Sequence, residues 1–431
     1  MAETLASVER REAVRQLLRV DQDRAYVGRL DAEELDARGQ RQVREYVAGV
    51  TRWRRWFDFL LASFYRGDFA RMDRKLVQIL RIGLYDLFHQ QTPDYAALNE
   101  AVNLARTEAN EGAAKLVNAV LRTALRKQDD WPVPKGSAAK QLAIRQSHPT
   151  WLVTRWLERF GPEGTAALLN HNNARPHYGV RVRSGNRSSL VANAELDATP
   201  SDYLDDFVRM QQLQGVLDDL KAGTLAVQDE AAGLVVRVLD PQPGEVIVDS
   251  CAAPGGKALY AADRMQNTGR IIAVDRHEGK LKLLANVAGT TSIIETYVAD
   301  ARTFTANAKA DAVLVDAPCS GTGVLAKRAD LRWHLTPENL PRLTVLQDAL
   351  LDQAATLVKP GGRLVYSTCS LEPEENTARV TAFLTRHSEF QREPLPDSIP
   401  ESMRTAEGDY QALPHQHGTD GAFAVRLRRQ P

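Results

Sequence analysis

Apolar residues recur at helical spacing through the first 130 residues, and no β-branched alternating run interrupts them. Leu5, Val8, Val14, Leu17 and Leu18 form one stripe among charged neighbours. Residues 51–65 mix Trp53, Trp56, Phe57, Phe59, Leu60 and Phe64 with Arg52, Arg54 and Arg55. Residues 76–88 are apolar on most of their circumference, which predicts a central buried helix ended by Pro93. Helices are expected at 96–109 and 113–127, completing an all-helical bundle. Trp131-Pro132-Val133-Pro134-Lys135-Gly136-Ser137 reads as a linker, followed by a capped amphipathic helix over 148–161. Short strand-like runs at 178–183, 207–210 and 224–228, around a helix near 188–196, predict a small α+β connector. From Asp229 the pattern changes to strands and helices alternating at βαβ spacing. Strands are predicted at 246–249, 270–275, 293–299, 312–316 and 363–367, and helices at 257–265, 278–288 and 340–358. Lys359-Pro360-Gly361-Gly362 is expected to be a turn, and a C-terminal strand pair has its clearest member at 423–427. The predicted organisation is a multidomain α and α/β chain, divided as helical bundle 1–130, connector 131–228 and doubly wound sheet 229–431.

Composition narrows this picture only slightly. A chain of 431 residues exceeds one core, and 43% hydrophobic with 26% charged residues is ordinary for a soluble protein. The formal net charge is zero, so no global field points to nucleic acid or membrane. Three cysteines suit a reducing compartment, and the nine histidines show no metal-ligand spacing near them, so no metal is expected. Met1-Ala2-Glu3-Thr4 lacks a basic export signal and no apolar run reaches membrane-spanning length, so a soluble cytoplasmic protein is expected; a monomer is expected as well. Two basic groups stand out. For Arg52, Arg54 and Arg55, with Arg71, Arg74 and Lys75 nearby, solvated arginines outside inward tryptophans compete with an RNA-backbone contact. Arg181, Arg183 and Arg187 are expected at exposed strand ends.

Candidate chemistry gathers where predicted strands end. Asp249 and the turn Cys251-Ala252-Ala253-Pro254-Gly255-Gly256-Lys257 follow the first strand of the sheet, Asp275 ends the second, Asp300 follows the third and Asp316 ends the fourth. Ligands of open α/β sheets bind outside these carboxyl ends. Asp275 lies 19 residues past Gly256, placed to accept both hydroxyls of a ribose. Gly255 and Gly256 allow close backbone approach, and Asp300 is placed to read an adenine amino group. A dinucleotide enzyme would share the acidic strand end, but the turn lacks G-x-G-x-x-G, and Pro254 removes an amide that a diphosphate would use. S-adenosylmethionine fits better.

All three cysteines fall in such turns. Cys251 is hemmed in by small residues and reads as filler. Cys319, in Pro318-Cys319-Ser320-Gly321-Thr322-Gly323, and Cys369, in Thr368-Cys369-Ser370, sit in polar turns on what should be neighbouring strands. A methyl donor combined with a thiol points to pyrimidine carbon 5, which becomes nucleophilic once a thiolate adds at carbon 6. A base must then remove the carbon 5 proton so that the thiol leaves. Asp316, beside Cys319, is placed to bind the ring's polar edge. The cytosine would have to be single-stranded or extruded. The residues alone leave open which of the two thiols attacks.

Asp249-Ser250-Cys251-Ala252-Ala253-Pro254-Gly255-Gly256-Lys257, Asp316-Ala317-Pro318-Cys319-Ser320-Gly321-Thr322-Gly323 and Tyr366-Ser367-Thr368-Cys369-Ser370-Leu371-Glu372-Pro373-Glu374-Glu375-Asn376 resemble motifs of the Sun-group RNA 5-methylcytosine methyltransferases. Val227-Gln228-Asp229-Glu230-Ala231-Ala232 is similar to the segment that opens that group's catalytic domain. Arg81-Ile82-Gly83-Leu84-Tyr85-Asp86-Leu87, Ala97-Leu98-Asn99-Glu100-Ala101-Val102 and Val117-Asn118-Ala119-Val120-Leu121-Arg122 resemble the NusB-type RNA-binding fold. The resemblance implies a Rossmann-like catalytic domain behind a NusB-like one, S-adenosylmethionine as donor and ribosomal RNA of the small subunit as partner. It implies Cys369 as nucleophile, Cys319 in product release, and Lys257 close to the reacting base. The donor would be held by residues 251–257, Asp275, Asp300 and Asp316. Alternatives are transfer RNA as substrate, or a non-catalytic RNA-binding assembly factor. The chain departs from the group's pattern at Ala326-Lys327-Arg328-Ala329-Asp330, Val182-Arg183-Ser184 and Ala422-Phe423, which bears on RNA contact more than on chemistry.

Overall fold

In the computed structural model the described residues are 7–22, 34–90, 92–287 and 293–431. Leu5 of the first stripe and Ala288 at the end of a predicted helix lie outside them. The chain forms two compact units, Met1–Ala174 with Leu325–Leu335, and Arg175–Val324 with Thr336–Pro431. Among the described residues no helix is long and apolar enough to cross a membrane.

The first unit is helical, with α1 Val8–Gln22, α2 Ala37–Phe64, α3 Arg74–His89, α4 Asp94–Glu108, α5 Glu111–Arg126, α6 Ala138–Arg145 and α7 Thr150–Asn173. Short polar side chains cap the starts: Asp36 accepts from the Gly39 amide, Asp73 from those of Lys75 and Leu76, and Asn110 from that of Ala113. As expected from its apolar circumference, α3 is the central helix, with Ile79, Leu80, Ile82 and Leu84 fully buried. The predicted 148–161 helix runs on to Asn173. Gly161, at φ 69°, breaks it into two segments, and Pro162 opens the second. The linker-like residues 131–137 therefore do not separate the two units, since residues up to Ala174 stay with the bundle.

Arg52, Arg54 and Arg55 of α2 follow neither expectation. They are neither solvated nor gathered into a free cationic face. Arg52 is buried and donates to the Ala326 carbonyl at 3.0 Å. Arg54 pairs with Asp21 at 3.0 Å and lies over the Trp333 ring. Arg55 donates to the His148 carbonyl and to Thr150 Oγ1. Burial pulls the Arg54 and Arg55 guanidiniums below their ordinary pKa. The segment 325–335 is part of this packing. Ala326, Ala329 and Asp330 are buried, and Arg332 donates to the carbonyls of Ser147, Asn172 and Leu325 and to Asn173 Oδ1.

The second unit opens with a four-stranded antiparallel sheet of order β2-β3-β1-β4, built from β1 Tyr178–Val182, β2 Thr199–Pro200, β3 Phe207–Met210 and β4 Leu225–Val227. Arg181 and Arg183 are not the exposed strand ends expected. Arg181 is fully buried, and both converge on Asp263 at 2.5 and 2.8 Å. Two arginines sharing one carboxylate also leave Arg183 spent on internal packing.

The main sheet contains β5 Val246–Asp249, β6 Arg270–Asp275, β7 Ile294–Val298, β8 Ala310–Asp316, β9 Val358–Thr368, β10 Phe390–Arg392, β11 Tyr410–Ala412 and β12 Ala422–Arg429. Its order is β10-β12-β9-β8-β5-β6-β7, with β11 on β12. The strands from β5 to β9 pair in parallel, whereas β12 pairs antiparallel with β9. Alternate residues feed two cores: Ile247, Leu314 and Val365 point to one face, and Val248, Val313, Val315, Leu364 and Tyr366 to the other. This explains the unbroken branched runs, because both faces are covered. The helices after α7 include α8 Arg187–Ala192, α9 Leu217–Ala222, α10 Glu230–Leu239, α11 Gly256–Arg264, α12 Glu278–Val287, α13 Leu331–His334, α14 Asn339–Leu357 and α15 Thr377–Arg386. Of these, α10 and α11 contribute to the first core, and α14 and α15 to the second. The expected turn at 359–362 is absorbed into β9, with Gly361 at φ 72°. Strand order reverses at β5, so the crevice lies between the ends of β5 and β8.

Candidate active site

At that reversal the turn after β5 places Lys257 in the first turn of α11, and Asp316 ends β8. Lys257 Nζ meets Asp316 Oδ2 at 2.6 Å, while Ser367 Oγ donates to Asp316 Oδ1 at 2.8 Å. Burial works against the ammonium, but Asp316, with a smaller contribution from Cys369, outweighs it and holds Lys257 above its ordinary pKa. Asp249 is buried beside them. Desolvation, then the Asp316 charge, push its carboxyl up to about 7 against the opposing pull of Lys257. Gly255 is required where it stands: its φ is 112°, and a Cβ there would meet Leu284 Cδ1 at 2.3 Å.

A cavity of about 280 Å³ opens beside this pair. Its wall includes Cys251, Ala253, Asp275, Asp300 and Asp316, all expected from sequence to face the donor. Asp275 Oδ2 accepts from the Ala253 amide at 3.2 Å, and its Oδ1 accepts from the His277 amide at 2.8 Å. Asp300 is on the wall too, but it is engaged by Arg302 Nη2 at 2.5 Å, which together with the Arg302 amide takes its pKa down to about 2. Gly256 and Lys257 lie outside the wall, as do Ala252, Pro254 and both paired thiols. Sequence reasoning missed His277, Arg302, Leu346 and Leu350. His277 lies just past the strand end, after Arg276, and was open to inference. The two leucines reach the cavity from α14 and carried no local signal.

Beyond the cavity the turns after β8 and β9 meet. Because Asp316 pairs in register with Ser367, Cys319 and Cys369 leave adjacent strands at the same level. Their sulfurs are 3.3 Å apart, and both thiols are half-buried and free. Gly323 allows the approach: its amide donates to the Cys369 carbonyl at 3.0 Å, and a Cβ would stand 2.7 Å from that oxygen. The contact with Cys369, then burial, raise the Cys319 thiol well above its ordinary pKa. Burial, with Asp249 and Asp316, also raises the Cys251 thiol above its ordinary pKa. The geometry therefore separates the cysteines. Two form a pair beside an ammonium–carboxylate couple, and one belongs to the cavity wall.

The comparisons with known proteins agree with this architecture. The family model for the 16S rRNA methyltransferase RsmB/F matches residues 236–428, and the NusB family model matches residues 7–126. A Bacillus subtilis protein described as a probable ribosomal RNA small subunit methyltransferase B is 33% identical, over 97% of this chain and 98% of its own. The ribosomal RNA small subunit methyltransferase B of Pseudomonas putida is 30% identical over 92% of each chain. Among solved structures, the crystal structure of PH0851 superposes with a TM-score of 0.79 at 26% identity, covering 99% of this chain and all of that one.

Proposed function

The chain belongs to the ribosomal RNA small subunit methyltransferase B family of S-adenosylmethionine-dependent enzymes, and from that premise we propose that it methylates carbon 5 of a cytosine in small-subunit ribosomal RNA through a covalent bond to Cys369. The observation that carries this reading is the pair of free thiols 3.3 Å apart, beside the Lys257–Asp316 ion pair. A methyltransferase acting on an already nucleophilic atom has no use for two thiols.

The cavity fits the donor. Its wall offers Asp275 for a ribose, with Asp300 and Asp316 as further carboxylates around a group whose sulfonium is positive, and Pro254 removes an amide that a diphosphate would use. Cys251 and Ala253 would line the nucleoside and Asp275 would hold the ribose, with Asp316 toward the methyl-bearing end. S-adenosylmethionine, when bound, supplies an electrophilic methyl group.

The chain's residues do the rest. Cys369 Sγ, as thiolate, adds to carbon 6 of the cytosine and moves the ring's electron pair to carbon 5, which takes the methyl group. A base from the surrounding solvent then takes the carbon 5 proton, the electron pair of that C–H bond re-forms the double bond between carbons 5 and 6, and the sulfur leaves carbon 6 as thiolate. Cys319, 3.3 Å away, is placed to assist that last step. Asp316 keeps Lys257 charged and close to Cys369, and its carboxylate oxygens retain lone pairs for the cytosine's amino edge. The base must be unpaired or extruded, and the reaction belongs in the cytoplasm, where thiols stay reduced.

The reading is tested by incubating the protein with labelled S-adenosylmethionine and either purified 16S ribosomal RNA or transfer RNA. Incorporation into one cytosine of the 16S RNA, lost on gene deletion in a bisulfite map, is the expected result. Incorporation confined to transfer RNA would replace the substrate, and binding of RNA without any methylation would favour an assembly factor.

A further inference from the structure

A carboxylate that the mechanism does not use lies directly behind the two thiols. Glu375 is fully buried in the turn before α15, six residues after Cys369. Among the described residues no cation is bonded to it. Its Oε1 accepts from the Ser320 amide at 2.9 Å and from Gln347 Nε2 at 3.0 Å. Its Oε2 accepts from Ser370 Oγ at 2.5 Å and also from Ser320 Oγ. Ser320 follows Cys319, and Ser370 follows Cys369. One buried side chain is therefore bonded to the residue next to each thiol.

The neighbouring residue reinforces the same turn. Thr368 Oγ1 donates to Asn376 Oδ1 at 2.6 Å, and Asn376 Nδ2 donates to the Ser370 carbonyl at 2.9 Å. Thr368 and Ser370 flank Cys369 on both sides. A carboxylate buried without a counter-ion is costly unless several donors converge on it, and here four do. A neutral clamp would have held two turns at lower desolvation cost, so the charge itself calls for a purpose.

We propose that Glu375 is a positioning residue for methyl transfer: it ties the Cys319 and Cys369 turns together through Ser320 and Ser370, and its charge sets Cys319 apart from Cys369. This rests on the reading of Cys369 as nucleophile and Cys319 as the releasing group. The negative charge lies among the groups that hold the Cys319 thiol protonated, whereas Cys369 has the Lys257 ammonium for a neighbour. Two identical thiols in contact thus acquire different surroundings, and only one is disposed to attack.

The test uses the full chain with Glu375→Gln, which keeps the side chain's size and one accepting oxygen but removes the charge. Methyl transfer to RNA should fall about 10- to 100-fold in kcat, with KM for S-adenosylmethionine unchanged within about twofold. The second readout needs neither RNA nor donor. In a Cys369→Ala background, which removes coupling between the thiols, the alkylation rate of Cys319 by iodoacetamide is followed against pH by peptide mass spectrometry. Removing the carboxylate should move its half-maximum to lower pH. A purely structural role would change the rate at every pH without moving that midpoint. Ser370→Ala, which loses one bond to the carboxylate but leaves its charge, should reduce kcat and leave the midpoint in place, and it serves if Glu375→Gln folds poorly. With Glu375→Gln, an unchanged midpoint overturns the proposal, whatever kcat does. If the unsubstituted protein methylates no RNA, the proposed function fails, while the alkylation profiles still decide the role of Glu375.

Discussion

Arg81 in the helical unit is a buried cation and Lys257 in the catalytic unit a half-buried one, and their surroundings differ. Arg81 is held by Asp58 through two bonds of 2.8 Å, by Asp21 at 2.8 Å and by Gln78 at 3.2 Å. Nearly every donor of its planar fork has an acceptor, and although burial opposes it, the two carboxylates hold its charge firmly. Lys257 has one bonded carboxylate, Asp316, and a second, Asp249, that it influences only through its field. The first cluster is saturated and stays as it is. The second has more acid than its cation can pair, so a proton is left near neutrality on Asp249 and the thiols face a charged but incompletely paired group. Buried charge alone does not mark a functional site. Incomplete pairing beside a cavity does.

The contrast can be broken most severely at the thiol it serves. Cys369→Ala should lower methyl incorporation by at least about 10³-fold while donor binding by calorimetry is retained. A residual rate within tenfold of the unsubstituted enzyme would show that no covalent bond to that sulfur is needed. The saturated cluster should respond in the opposite manner. Arg81→Met strands Asp58 beside an apolar side chain, leaves Asp21 only Arg54 and Gln78, and should cost about 3–5 kcal/mol in urea unfolding of the helical unit. A loss under about 1 kcal/mol would mean that the fork contributes little.

The smallest effect expected is a dependence on pH. The folded pKa of Asp249, about 7, lies above its unfolded value of about 4. The stability that it contributes is therefore complete below pH 4 and is lost as pH rises to about 7, where the folded protein must ionise a buried acid. Asp249→Asn removes this slope. Between pH 5 and 7 the unsubstituted protein should lose about 2–3 kcal/mol relative to the variant, and above pH 7.5 the difference should level off. Parallel stability curves across that range would show that Asp249 is ionised throughout.

What could be read from the sequence follows a physical divide. Strands such as Val246–Asp249 were legible because branched apolar runs buried on both faces end abruptly in small-residue turns. The carboxylates at strand ends were legible because the α/β topology fixes where strands end. Asp275 and Asp316 accordingly reach one cavity. Pairings between distant segments were not legible. Nothing local shows that Arg181 and Arg183 would share Asp263, or that Arg55 would bond to residues 148 and 150 rather than face solvent. Long cationic side chains look solvated until a partner from elsewhere in the chain is known. Membership of the units was hidden for the same reason. Pro132 and Pro134 look like a boundary, and residues 325–335 look like part of the catalytic sheet, but tertiary packing assigns both stretches to the bundle. Glu375 was in view within a recognisable motif, but its partners Ser320 and Gln347 lie 55 and 28 residues away.

The central claim is that the two thiols, although in contact, have different duties: Cys369 makes the bond to the base and Cys319 breaks it. The most direct measurement is to incubate Cys319→Ala with S-adenosylmethionine and substrate RNA, digest the denatured complex and identify the cross-linked peptide by mass spectrometry. The account predicts a stable adduct, with a methylated cytosine attached to Cys369. Methylated RNA released at the normal rate with no adduct, or a nucleotide attached to Cys251, would contradict it.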